Sequence, residues 1–169
     1  AAVSRAGGLG CLTVHNPAPA ALRRRLRRLR ALTRRPVLLA FTAQFESDAV
    51  FETCLDEGFR HFQGFWWNGT RVGSFTRRAP DGALFWQVGY PSQAEEAVAA
   101  GADVLVAQGT EAGGPVRTSL PVRELIRDLR AAVGDDIPLV AGGGLADGRD
   151  VADVLRAGAH AALLGTRFL

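Results

Sequence analysis

Seven short segments of this chain are rich in apolar residues, over residues 9–14, 37–41, 61–66, 83–88, 104–107, 137–141 and 161–164, and residues 37–41 form a solid apolar run. Solid runs of this length suit parallel strands covered on both faces, whereas a strand with one wet face would alternate. The stretches between them carry helix signals. Gly7 and Gly8 close what reads as the last turns of a helix over residues 1–7. After a turn at Asn16-Pro17-Ala18-Pro19, an Arg-rich helix runs to Thr33. Further helices are expected from Ser47, a suitable N-cap, to Glu57 before Gly58, and over residues 92–100, 121–133 and 147–157. Residues 68–80 contain Gly69, Gly73 and Pro80 and predict a loop with at most a short helix. Strict alternation of strand and helix means parallel strands with right-handed crossovers, hence a doubly wound sheet or a barrel.

Two strand ends decide between these. The run Ile137-Pro138-Leu139-Val140-Ala141 spills into Gly142-Gly143-Gly144 and then reaches Leu145-Ala146-Asp147; one unit later Leu163-Leu164 runs into Gly165-Thr166-Arg167. Glycines at a strand end mark close backbone approach, and free amides there suit an anion such as phosphate. Two such loops in succession match the phosphate site after strands 7 and 8 of a (β/α)8 barrel. The dinucleotide fingerprint fails because Asp147 stands where its third glycine belongs, and no GxxxxGK[ST] loop exists. The expected fold is an incomplete (β/α)8 TIM barrel forming a single domain over residues 1–169.

At 169 residues the chain is short for that pattern, which usually needs about 200 residues or more. It contains no Met and opens inside a helix, so it reads as truncated at both ends, with the first strand and last helix absent. Its composition, 47% hydrophobic and 22% charged, is globular, and neither a membrane span nor a signal peptide is visible. All 20 basic residues are Arg. Six of them lie in residues 23–30, where Leu22, Leu26, Leu29 and Leu32 share one stripe, so they read as the solvated face of an amphipathic helix and not as a nucleic-acid patch. A lyase or isomerase acting on a phosphorylated substrate would share the glycine-bearing loops but would want a catalytic Lys or an acid pair, and the chain has no Lys. Cys11 and Cys54 have no metal-ligand spacing and read as small buried side chains of a cytoplasmic protein.

In a barrel, chemistry belongs to the C-terminal ends of strands. His61 and His160 precede their strands and are structural, whereas His15, Trp66, Trp67, Asn68, Gln87, Gln108 and Glu111 fall on the functional face. The densest group is Gln108-Gly109-Thr110-Glu111-Ala112-Gly113-Gly114, where glycines admit a flat ligand and an amide can bond the edge of a heterocycle.

Ala6-Gly7-Gly8-Leu9-Gly10, residues 107–114, Pro138 to Asp147 and Leu164-Gly165-Thr166-Arg167-Phe168 together resemble the nitronate monooxygenase family. The resemblance implies a TIM barrel holding FMN without a covalent link. Gly143, Gly144, Leu164, Gly165 and Thr166 would then hold the phosphate, with Gln108 and Gly113 beside the flavin. It implies a monooxygenase oxidising alkyl nitronates with O2, with a homodimer possible, and related barrels include flavin-dependent enoyl and quinone reductases. No metal is implied. The family motif continues from its two glycines into a base histidine, and this chain has Pro115 there, which accepts no proton. His15 and Glu111 are the residues able to substitute, and a catalytically inactive barrel stays open as the alternative.

Overall fold

A computed structural model describes residues 1–15, 18–42, 48–66 and 69–168. Helix α1 (Ala2–Arg5) leads into β1 (Gly10–Val14), α2 (Pro19–Leu32), β2 (Val37–Thr42), α3 (Asp48–Asp56) and β3 (His61–Phe65). Then follow α4 (Gly69–Arg78), β4 (Ala83–Val88), α5 (Pro91–Ala99), β5 (Val104–Gln108), α6 (Val122–Val133), β6 (Leu139–Gly142), α7 (Gly148–Arg156) and β7 (Ala161–Leu163). The seven strands are all parallel and lie in the order β1-β2-β3-β4-β5-β6-β7. A doubly wound sheet reverses direction partway, so sequential order leaves single winding, with every crossover helix on one face. Among the described residues β7 does not pair with β1, and both are open edges.

The register sorts the side chains into two faces. Val37, Leu39 and Phe41 of β2, Phe62 of β3, Leu84 and Trp86 of β4, Leu105 and Ala107 of β5, and Leu139 and Ala141 of β6 join one core with the helices. Their neighbours one residue along, including Gln63, Gln87 and Gln108, form the opposite, inner face. Cys11, expected to be buried, is exposed on that inner face, because β1 has no further strand beside it. Cys54 of α3 is buried, which pushes its thiol up to about 12.

Residues 68–80 depart from expectation, since a ten-residue helix occupies Gly69–Arg78. Gly73 costs a helix about 1 kcal/mol relative to Ala, but Phe75 is buried against Phe41, Phe51 and Phe62, with the Phe51 and Phe75 ring centroids 3.8 Å apart. Aromatic packing of this kind adds roughly 0.5–1.5 kcal/mol per pair beyond burial. Arg78 closes the helix by pairing with Asp48 and Glu52 of α3. The proposed N-cap Ser47, the start of the turn at Asn16 and Pro17, and Trp67 and Asn68 lie outside the described residues.

In α2, Leu22 and Leu26 are fully buried, but Leu32 is half exposed because the helix ends there. The arginine face is partly tied down: Arg23 reaches Asp56 at 2.7 Å and Arg27 reaches Glu57 at 2.9 Å. The Arg27 guanidinium, with Arg23 behind it, holds the Glu57 carboxyl below its ordinary range.

Candidate functional site

The site is built at the C-terminal ends of β5, β6 and β7, where register brings Gln108 beside Gly142 and Gly142 beside Leu163. The loops that leave these strands are therefore neighbours. After β5 the chain turns tightly: Gly109 N donates to Gly142 O at 3.0 Å, and Ala112 N donates to Gly109 O at 3.1 Å. A side chain at Gly109 would have its Cβ 2.4 Å from Val122 N, so only glycine fits.

Glu111, one of the residues able to replace the absent base, has a different task. Both of its carboxylate oxygens accept from Val122 N, at 3.0 and 3.2 Å, which caps the first turn of α6. A carboxylate placed there satisfies an amide that the helix cannot and complements the helix dipole. His15 stands beyond the end of β1, four strands from β5 in the sheet order, so the register does not bring it beside Gln108.

The glycines after β6 meet the same turn. Gly143 has φ +124° and Gly144 φ +66°. A Cβ on Gly143 would lie 3.0 Å from Ala112 N, and one on Gly144 would lie 2.9 Å from Glu111 Cβ. Close backbone approach is thus required here to pack one loop on the other. The helix behind them does not offer its first amides to a ligand. Asp147 Oδ1 accepts from Arg149 N at 2.8 Å and Asp150 N at 3.1 Å, while Asp150 Oδ2 accepts from Ala146 N at 2.9 Å and Asp147 N at 3.3 Å. This reciprocal cap holds the Asp150 carboxyl below its ordinary range, chiefly through the Ala146 amide.

Any anion must therefore sit ahead of α7, against the loops themselves. Among the described residues, no partner is present for the amides of Gly143, Gly144, Gly165 or Thr166. Leu164 leads into Gly165, where a Cβ would meet open space, and a short turn over Thr166–Phe168 follows with Phe168 N donating to Gly165 O at 2.9 Å. Unpaired amides on two adjacent, glycine-bearing loops are the donor set that a phosphate takes. Gly113 and Gly114 lie farther along the β5 loop with nothing packed against them, and Pro115 is exposed beside them.

On the inner face below these loops the register lines up three glutamines. Gln63 is 1% and Gln87 8% exposed. Gln63 Nε2 donates to Gln87 Oε1 at 3.5 Å, and Gln87 Nε2 donates to Gln108 Oε1. Trp66, just past β3, adopts φ +60°, a conformation that costs a bulky residue energy, and its indole Nε1 is buried with no partner among the described residues. The Arg117 guanidinium stands over the Trp66 ring, 5.2 Å from its centroid. Gln63 and Arg117 were not singled out from the sequence, where only a polar residue inside an apolar strand hints at Gln63.

At the opposite end, His160 Nδ1 accepts from Leu139 N at 3.3 Å and lies 2.7 Å from Arg130 Nη2, a structural setting. His61 is also at that end, with Nδ1 buried and unpartnered among the described residues. Among those residues no cluster of potential metal ligands is present, and no helix is long and apolar enough to cross a membrane.

Comparison with known proteins gives a consistent set of relatives. Residues 79–169 match the family described as nitronate monooxygenase. A nitronate monooxygenase of Neurospora crassa is 42% identical over 91 residues, which is 50% of this chain and 24% of that protein. A (3aS,4S,5R,7aS)-5-hydroxy-7a-methyl-1-oxo-octahydro-1H-indene-4-carboxyl-CoA dehydrogenase of Mycobacterium tuberculosis is 33% identical over 99% of this chain and 47% of its own length. The nitroalkane oxidase of Streptomyces ansochromogenes superposes with a TM-score of 0.85 and 29% identity, over 99% of this chain and 60% of that structure. The chain thus spans less than half the length of either relative matched by sequence.

Proposed function

Because the chain belongs to the nitronate monooxygenase family, we propose that it forms the cofactor-holding portion of an FMN-dependent oxidoreductase with a TIM-barrel fold, and that the reaction is oxidation of alkyl nitronates with O2. The observation that supports this most is the row of Gln108, Gly142 and Leu163 at adjacent strand ends, with unpaired amides on the loops above it. The amides of Gly143, Gly144, Gly165 and Thr166, with the Leu164 backbone beside them, would hold the phosphate. Gln108 and Gly113 would lie along the ring. FMN bound there would supply the redox chemistry that links nitronate oxidation to reduction of O2.

The protein's own part is to bind, orient and exclude. Gln87 occupies the Gln108 oxygen, so Gln108 turns its Nε2 donor toward the ligand. Pro115 stands at the family's base position and takes no proton, and Glu111 is spent on α6. The substrate therefore has to arrive deprotonated, as a nitronate anion rather than a neutral nitroalkane. In this account the enzyme is cytoplasmic and meets only small molecules and O2.

Oxygen uptake by the FMN-supplemented chain tests this reading. Ethyl nitronate should drive uptake, and nitroethane at a pH where it stays protonated should be slower by on the order of 10²-fold or more, the usual cost of an absent base. Equal rates would show that a base is present after all. No uptake with either substrate would favour a catalytically inactive barrel, the reading that Pro115 supports.

A further inference from the structure

The mouth of the inner face is shut over Gln108. The space enclosed by Trp66, Gln87, Gly89, Gln93, Gln108 and Arg117 is about 10 Å³, no more than the roughly 10–15 Å³ that a single water needs. What closes it is the loop between β5 and α6. Arg117 crosses the end of β4, where a Cβ on Gly89 would lie 3.1 Å from Arg117 C, and its guanidinium reaches the Trp66 ring just past β3. Both ends of this loop are pinned: Ala112 N donates to Gly109 O, Glu111 caps α6, and Leu120 N donates to Thr118 Oγ1 at 3.1 Å. Between those anchors, residues 113–117 make no hydrogen bond among the described residues. A Cβ at Gly113 or Gly114 would meet nothing within 4 Å, and Gly114 has φ +82°. Two adjacent residues free of side-chain restriction make a pivot.

We infer that residues 113–117 form a gate over Gln108, pivoting at Gly113 and Gly114 and latched shut by Arg117 on Trp66. The closed state is a balance of small opposing effects. A guanidinium over an indole is attractive, and Arg117 has no ion pair among the described residues to compete for it. Against this, Trp66 holds φ +60° and buries its indole N–H without a partner among the described residues. Opening lets water reach that N–H and removes the cost of leaving it unpaired. A weak latch set against a local penalty is what an element with two accessible states requires. That opening admits a flavin ring to Gln108 rests on the flavin oxidoreductase reading; the latch itself does not.

Trp66 reports the gate without any ligand. In ¹H–¹⁵N spectra of the ligand-free chain its indole N–H is identified by its loss in Trp66→Phe. Its rate of exchange with solvent is then measured, with the amide of Leu105, buried in the core, as the reference for global unfolding. In the parent the indole should exchange more slowly than a free indole and faster than Leu105. Arg117→Gln should speed it about threefold or more, the size of a lost exposed cation–π contact, with Leu105 unchanged. Arg117→Lys keeps a cation over the ring and should stay nearer the parent. Arg117 is exposed, so these variants leave the core intact. FMN entry, followed by quenching of flavin fluorescence, should be faster into Arg117→Gln than into the parent. Loss of a positive charge alone would instead slow the approach of an anion. An indole that exchanges like a free one, a rate unmoved by Arg117→Gln, or FMN entry into that variant no faster than into the parent would overturn the gate. A parent that binds no FMN sinks the flavin reading and leaves the exchange rates to decide the gate, so the two fail separately.

Discussion

Replacing Gly143 by Ala separates what the glycines after β6 do for folding from what they do for a ligand. The residue sits at φ +124°, outside the region that L residues adopt readily, which costs roughly 1–3 kcal/mol. Its new Cβ would lie 3.0 Å from Ala112 N and 3.3 Å from Ala112 Cβ, and the first of these is backbone that cannot swing away. Together these give a destabilisation of about 2–4 kcal/mol, within the range of local strain plus overpacking. For a chain of this size that corresponds to a Tm lower by roughly 5–12 °C. Gly165→Ala is the control, since a Cβ there meets open space and no positive φ is involved. Its stability should stay within about 0.5 kcal/mol of the parent. Thermal and urea unfolding of the two variants, with and without FMN, provide the assay. A Gly143→Ala protein as stable as the parent would refute the claim that these glycines are required for loop-on-loop packing. Conversely, FMN should raise the Tm of the parent more than that of Gly165→Ala, because only the latter puts a methyl group against the proposed phosphate.

Phe75→Ala should cost about 3–5 kcal/mol and melt α4 first, detectable as early loss of amide protection over Gly69–Arg78. Pro115→His should raise turnover of neutral nitroethane by on the order of tenfold or more while leaving nitronate oxidation nearly unchanged, as measured by oxygen uptake. The folded-state carboxyl of Asp150 is held below its ordinary range by the Ala146 and Asp147 amides, so its contribution is full above the ordinary carboxylate pKa near 4 and is lost as pH falls through its depressed value. Asp150→Ala should accordingly lower the Tm at pH 7 and make a smaller difference at the lowest pH where the protein stays folded. Thiol labelling should be slow at Cys11 and slower still at Cys54, because desolvation pushes the two thiols up to about 11 and about 12 and only Cys11 is exposed.

Strands β2 to β6 were legible because both faces of each are largely buried, so that hydrophobicity alone marks them, and strict alternation with helices then dictates parallel pairing; the edge strands β1 and β7 keep exposed positions. The sequential strand order followed from two glycine-bearing strand ends in succession. The helix over Gly69–Arg78 was hidden, since local propensity at Gly69 and Gly73 argues against it and only the burial of Phe75 in a four-ring cluster argues for it. Leu32 shares a helical stripe with Leu22 and Leu26, yet the stripe outlasts the surface that covers it. At the site, the adjacency of the loops after β6 and β7 was readable, but the task of Glu111 was not. Its carboxylate caps a helix that starts eleven residues on, a contact set by how the intervening loop folds. The glutamine relay needs the stagger of three strands, and Arg117 meets Trp66 from a position 51 residues away in sequence.

The central claim is that the amides on the loops after β6 and β7, with Gln108 beside them, hold a flavin nucleotide. The most direct measurement is the visible absorption spectrum of the chain after incubation with FMN and removal of the excess by gel filtration, run beside riboflavin under the same conditions. Flavin bands retained with FMN and lost with riboflavin are the predicted result, because the phosphate is what the paired loops bind. Retention of neither, or equal retention of both, would contradict it.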